Sequence, residues 1–184
     1  MPHFLPTRIP DLFIFEPFVY KDNRGHFFES YNEQTFSQFG IHNRFVQDNQ
    51  SFSTFGVIRG LHYQLDPHAQ TKLVRVLQGR ILDVAVDLRR SSKTFGESFS
   101  IELSSDNKHQ LLIPRGFAHG FSVLSETAEV SYKCDGLYNK ESEGGIRFDD
   151  PRLHIDWQIP AGKAIVSEKD LALPLFAECR NNFK

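Results

Sequence analysis

The chain is poor in cysteine: Cys134 and Cys179 are the only two, and neither belongs to a Cys-x-x-Cys unit. A disulfide framework is not expected from this usage, and two reduced thiols in a cytoplasmic protein are. Excess positive charge is missing as well. Lys plus Arg total 21 against 23 Asp plus Glu, a net charge of −2. That balance argues against a general nucleic-acid binder, which carries a basic excess, while leaving room for a local basic pocket for a phosphorylated small molecule. No apolar run is long enough to span a membrane, and Pro2, Pro6, Pro10, Asp11, Glu16 and Pro17 break up the first twenty residues, so no signal peptide is expected. Repeats, low-complexity tracts and linkers are absent. What is abundant is phenylalanine, with 18 residues, an efficient filler of cores and interfaces. At 184 residues, one domain burying most of its surface is expected.

Strand signals dominate. Leu12 to Tyr20 is apolar and aromatic, Lys21 to Gly25 reads as a turn, and His26 to Tyr31 as a returning strand. Ser30-x-x-Glu33 matches a capping box, which predicts a short helix with Phe36 and Phe39 inward and Gly40 as its stop. Strands are then predicted over 45–52, 58–64, 72–77, 81–87, 99–103, 110–113, 120–124 and 129–138, with turns at Gln78-Gly79-Arg80 and Ser104 to Asn107. Short strands with tight turns and no helical period between them predict an all-β antiparallel sandwich or jelly roll. The last 35 residues read as irregular, with one short helix.

Two segments carry chemistry. Arg59-Gly60-Leu61-His62-Tyr63-Gln64, following Gly56, and Pro114-Arg115-Gly116-Phe117-Ala118-His119 are similar to the two halves of a cupin signature. A metal-binding cupin has His-x-His in the first half and a Glu soon after. Here the sequence reads His62-Tyr63-Gln64, followed by Asp66, Pro67, His68 and Ala69. A jelly-roll barrel without its metal is therefore expected, with a ligand site in its mouth. His62 beside Arg59 and Lys72 suggests proton transfer on an anionic ligand. His3, His42, His68, His109 and His154 show no ligand spacing and read as surface residues.

The ordered set Asp22-Asn23-Arg24-Gly25, Phe27-Phe28-Glu29, Phe45 to Asn49, Arg59 to Gln64, Lys72 to Arg75, Pro114 to His119, Tyr132-Lys133, Ser142-Glu143-Gly144 and Lys169-Asp170 closely resembles the dTDP-4-dehydrorhamnose 3,5-epimerase family, from about Ile9 to Leu175. The Pro-x-Gly-x-x-His piece is shared by cupins at large; the full order is specific. The resemblance implies inversion of carbons 3 and 5 of dTDP-4-dehydro-6-deoxy-D-glucose to dTDP-4-dehydro-L-rhamnose. Both carbons lie alpha to a ketone, so the reaction needs a base, an acid on the opposite face and a cation or donor at the developing oxyanion. It implies no cofactor, because the ketone is the electron sink, and a homodimer built by exchange of N-terminal strands.

By the same resemblance His62 is the base, paired with Asp170, Tyr132 is the acid and Lys72 stabilises the enolate. An imidazole titrates near neutrality, and strand alternation points Tyr132, Cys134 and Gly136 to one face. On residue type alone, a satisfied core histidine, a barrel-filling tyrosine and a solvated lysine are the default identities of these three. The family's pattern also implies Arg24, Arg59 and Lys169 at the pyrophosphate, Glu29, Gln47, Asn49, His119 and Glu143 as polar contacts, and Tyr138 against the thymine. His26 departs from the family, which often has an aromatic or apolar residue there. The alternatives are an epimerase acting on carbon 3 or 5 alone, a metal-dependent cupin, and a non-catalytic nucleotide-sugar binding module.

Overall fold

A computed structural model describes Met1–Lys184. The strands are β1 His3–Pro6, β2 Phe13–Glu16, β3 Tyr20–Asp22, β4 Gly25–Phe27, β5 Gln47–Thr54, β6 Ile58–Gln64, β7 Lys72–Gln78, β8 Arg80–Asp87, β9 Ser98–Ser104, β10 Gln110–Ile113, β11 Phe117–Val123, β12 Thr127–Cys134 and β13 Glu143–Gly145. Two short helices complete the fold, α1 Glu33–Gln38 and α2 Glu168–Leu171. A six-stranded sheet has the order β1-β2-β10-β7-β12-β5, and a five-stranded sheet β13-β6-β11-β8-β9. Every ladder within them is antiparallel. This is the expected cupin-type jelly roll.

Side-chain alternation explains how the sheets stack. Val74, Val76, Leu111, Ile113 and Val130 of the larger sheet meet Ile81, Ala85, Leu103, Phe117, Phe121 and Val123 of the smaller one in the barrel interior. The opposite face of the smaller sheet, with Leu61, Tyr63, Leu82, Val84 and Val86, is covered by Ile146, Leu153, Trp157, Phe176 and Phe183 from the C-terminal segment. Strands β8 and β11 are thus buried on both faces, which is why they read as nearly continuous apolar runs rather than alternating ones. The C-terminal segment is irregular, as expected, but anchored: Ser122 Oγ donates to the Trp157 carbonyl at 2.7 Å, and Trp157 Nε1 to the Phe148 carbonyl at 2.7 Å.

Several boundaries differ from the sequence expectation. The strand expected over 12–20 ends at Glu16, before Pro17, whose ring removes a ladder donor. The strand expected over 26–31 is only β4, paired with β3 as a separate exposed hairpin. The N-cap of α1 is Asn32, whose side chain accepts from Thr35 N–H, rather than Ser30, and Phe39 lies half out in solvent while Phe36 is buried. Strand β1 escapes sequence analysis because it is an edge strand between prolines with little burial to create a pattern. Phe36 packs with Phe15, Leu73 and Leu112 on the outer face of the larger sheet. Phe36→Ala is expected to lower unfolding free energy by about 3–5 kcal/mol in denaturant titration, as deletion of a buried aromatic does.

Candidate active site

The two sheets part at one end to form a cleft of about 850 Å³. His62, Lys72, His119, Tyr132, Asp170, Gln47, Asn49, Arg59, Tyr138, Glu143 and Lys169 all line it. His62 projects from β6 of the smaller sheet, and Lys72 and Tyr132 from β7 and β12 of the larger one. The two sheets therefore supply opposite walls of the cleft.

The wall that carries His62 depends on close backbone approach. His62 and His119 are direct partners in the β6–β11 ladder. Beside them Gly60, at φ +114, lies so near β11 that a Cβ would stand 2.7 Å from the Gly120 Cα and from the His119 carbonyl. Any side chain there would force the strands apart and move both imidazoles. The Gly60 N–H donates to Asp170 Oδ2 at 3.2 Å, and the other oxygen, Oδ1, lies 2.8 Å from His62 Nε2. Asp170 sits in the single turn of α2, where the N-cap Ser167 hydroxyl accepts from its N–H at 3.1 Å. Burial works against ionisation of Asp170, but the hydrogen bonds from His62, Gly60 and Ser167 outweigh it and hold the carboxyl below its ordinary pKa. An ionised Asp170 fixes the His62 proton on Nε2 and leaves the Nδ1 lone pair for the cleft.

On the facing wall, burial pushes the Tyr132 phenol up, the neighbouring Cys134 adds to this, and the Arg59 guanidinium opposes it. Burial likewise depresses the Lys72 ammonium, against Cys134 and Asp83. The Lys72 Nζ stands 5.9 Å from the centre of the Tyr132 ring. Arg59 is braced by the Ser53 hydroxyl at 3.0 Å. Lys169 Nζ holds Glu143 Oε1 at 2.5 Å, and the Tyr138 hydroxyl donates to Glu143 Oε2 at 3.3 Å. This lysine contact is the main cause of the lowered Glu143 pKa. Gln64, in the position of a metal cupin's second histidine, is committed elsewhere: Oε1 accepts from Asn139 N–H at 2.6 Å and Nε2 donates to the His68 carbonyl at 3.2 Å.

Arg24 and Glu29 are not in the cleft of their own chain. Arg24 lies in the exposed β3–β4 hairpin, paired with Asp22 at 2.7 Å. Glu29 accepts from Asn32 Nδ2 at 3.1 Å and lines a separate aromatic groove with Phe15, Phe18, Tyr20 and Phe27. The hairpin joins neither sheet, so nothing within the chain carries these two side chains to His62. His26, on the same hairpin, is exposed. Sequence reasoning missed Asp83, which is fully buried with Oδ1 2.7 Å from His119 Nε2. The one signal was a charge within the apolar run Ile81 to Val86.

A jelly roll whose mouth gathers a carboxylate-backed histidine, a tyrosine and a lysine into one cleft defines a cupin-type protein. Residues 6–178 match the family described as dTDP-4-dehydrorhamnose 3,5-epimerase. The chain is 52% identical over 168 residues to the dTDP-4-dehydrorhamnose 3,5-epimerase of Shigella flexneri, covering 91% of this chain and 92% of that one. Its structure is similar to that of dTDP-4-dehydrorhamnose 3,5-epimerase from Elizabethkingia anophelis, with TM-score 0.94 and 54% identity over 98% of this chain and 99% of that one. It is also similar to the dTDP-6-deoxy-D-glucose-3,5-epimerase of Legionella pneumophila in complex with dTDP-4-keto-L-rhamnose, with TM-score 0.91 and 48% identity over 95% and 93% of the two chains. The chain belongs to the dTDP-4-dehydrorhamnose 3,5-epimerase family, a family of isomerases.

The lowered Asp170 pKa sets a stability prediction. A carboxylate with a depressed folded pKa contributes stability that is fully present above its unfolded pKa and is lost as pH falls through the folded value. Asp170→Asn lacks this increment. The difference in unfolding free energy between the two proteins, measured in urea, is expected to shrink as pH falls from neutrality through the acid carboxylate range.

Proposed function

We propose that this cleft inverts carbons 3 and 5 of dTDP-4-dehydro-6-deoxy-D-glucose by enolate chemistry, with His62 as base and Tyr132 as acid. The observation that carries the reading is their placement on opposite sheets with the cleft between them. Inversion demands that one face of the carbon loses a proton and the other gains one. His62 takes the proton on Nδ1, and the resulting imidazolium is stabilised by Asp170. Electron density moves to the ketone oxygen, where the Lys72 ammonium meets the developing charge. The Tyr132 hydroxyl then donates from the other side. Its raised pKa makes the resting phenol a reluctant acid, and the Arg59 guanidinium, which favours the phenolate, eases the transfer. Both target carbons flank the same carbonyl, so one set of groups serves both inversions once His62 has released its proton to solvent, Tyr132 has regained one from it and the sugar has shifted. The substrate's ketone is the electron sink, and no metal or cofactor takes part.

Arg59 and Lys169 serve the pyrophosphate, Tyr138 the thymine ring, and Gln47, Asn49, His119 and Glu143 the sugar and nucleotide hydroxyls. Binding requires Lys169 to exchange Glu143 for a phosphate oxygen, which frees Glu143 for a hydroxyl. The enzyme works as a homodimer in the cytoplasm, where Cys134 and Cys179 stay reduced as the free thiols they are. Phe18, Tyr20 and Phe27 of the hairpin region are 47%, 62% and 67% exposed. Aromatic surface of that kind calls for a cover, and docking on a second copy would give Arg24 and Glu29 a place in the partner's cleft.

His62→Ala is expected to abolish exchange of both alpha protons with solvent, and Tyr132→Phe to slow inversion by roughly 10²–10⁴-fold, the contribution of a positioned acid, while sparing abstraction. Deuterium-wash-in NMR against sugar configuration separates the two. Exchange surviving in His62→Ala removes His62 as base, and equal loss of both steps in Tyr132→Phe removes it as a dedicated acid. For the dimer, His62→Ala and Arg24→Ala protomers refolded together are expected to regain activity that neither has alone. A mixture no more active than its parts would contradict delivery of Arg24 to the partner.

A further inference from the structure

His119 of the cleft belongs to a second histidine–carboxylate pair that the proton-transfer steps above leave unused. His119 lies directly across the β6–β11 ladder from His62. Its carboxylate, Asp83, comes from β8 on the far side of β11. Asp83 Oδ1 stands 2.7 Å from His119 Nε2, and both residues are buried. Asp83 Oδ2 is also buried but has no hydrogen-bond partner. A carboxylate with one bare oxygen in an apolar strand is costly to keep. Such a group persists where a neighbouring charge or a function compensates.

That neighbour is Lys72. The groups facing its ammonium are Cys134 and the Tyr132 ring on β12, Asp83 on β8 and His119 on β11. Burial drives Lys72 toward the neutral amine, and Cys134 and Asp83 oppose it. The Cys134 thiol is itself pushed up by burial, which favours its neutral form and leaves Asp83 as the carboxylate that faces Lys72. His119 faces Asp83, Lys72 and His62; burial lowers its pKa despite Asp83, and the proximity of Lys72 and His62 lowers it further. It is therefore a neutral imidazole. With Nε2 occupied by the Asp83 carboxylate, its proton belongs there and its lone pair on Nδ1.

We propose that Asp83 is a positioning residue of this active site: it locks His119 as the Nε2–H tautomer, so that Nδ1 accepts a hydrogen bond from a sugar hydroxyl, and its second oxygen is the counter-charge that keeps Lys72 an ammonium at the ketone. This rests on the enolate reading of the cleft and extends it. The two histidines thereby do different work. His62, half-buried and open to the cleft, cycles its proton; His119, held deeper, keeps its proton and orients the sugar.

Asp83→Asn in the full-length enzyme tests it, since the amide keeps the shape and removes the charge. The expected result is a fall in kcat on the order of 10- to 100-fold, the scale seen when a carboxylate behind an imidazole is replaced, with affinity for dTDP unchanged. The basic limb of the kcat–pH profile moves to lower pH, because without Asp83 the Lys72 ammonium loses its proton sooner. Joint loss of kcat and dTDP affinity with an unmoved limb would show a purely structural role and overturn the proposal. If the variant does not fold, ¹⁵N-histidine NMR of the unaltered enzyme decides: the Nε2–H form of His119 supports the assignment, and the Nδ1–H form overturns it. These outcomes are separable from failure of His62 as base, which leaves the His119 tautomer untouched.

Discussion

The carboxylate of Asp170 is the constraint on which the site depends. One oxygen takes the His62 imidazole and the other the Gly60 N–H, while the Ser167 cap fixes the turn that carries it. Burying a carboxylate is costly unless its lone pairs are met, and here both oxygens are met from β6 while the acid itself comes from the C-terminal segment. The link brings the C-terminal segment back over β6, sets the histidine's tautomer and aims its free nitrogen across the barrel. It also explains the glycine: the 60th residue must offer a bare backbone to Asp170 and at the same time lie against Gly120. Fold and chemistry meet in that one contact.

The cleft balances charge within a low-dielectric interior. Lys72 on the larger sheet and Arg59 on the smaller one share the cleft, with Asp83 and Asp170 behind the two histidines, and Lys169 pairs with Glu143 at the mouth. Interior charges are expensive singly and useful in sets, because a preorganised cation costs no reorganisation when an enolate forms beside it. The exposed Lys169–Glu143 pair is of the other kind. It is solvent-accessible, and exposed ion pairs of this kind are weak. The site thus grades from buried pairs deep in the barrel to a more exposed one at its mouth.

Much of this was legible in the sequence. Eight strand segments were visible because their apolar periods reflect a two-sheet sandwich, and β6 and β10 fall where the pattern puts them. The two halves of the cupin signature, Arg59 to Gln64 and Pro114 to His119, stood out by their residue spacing, and both lead into neighbouring strands of one wall of the cleft. Other features had no local signature. Strand β1 is an edge with almost no burial, so it has no period to read. Asp83 is an acid in the middle of a strand buried on both faces, where nothing in the sequence reveals that His119 lies opposite. Arg24 and Glu29 follow the family's order yet stand apart from the cleft, since a linear motif says nothing about which copy of the chain a side chain serves.

The central claim is that a single cleft forms an enolate toward each side of one ketone. The most direct test is proton NMR of dTDP-4-dehydro-6-deoxy-D-glucose incubated with the protein in deuterated water. Deuterium at both carbon 3 and carbon 5, together with conversion to the L-configured sugar, is the predicted result. Conversion without deuterium at either carbon, or no exchange at all, would contradict enolate formation in this cleft.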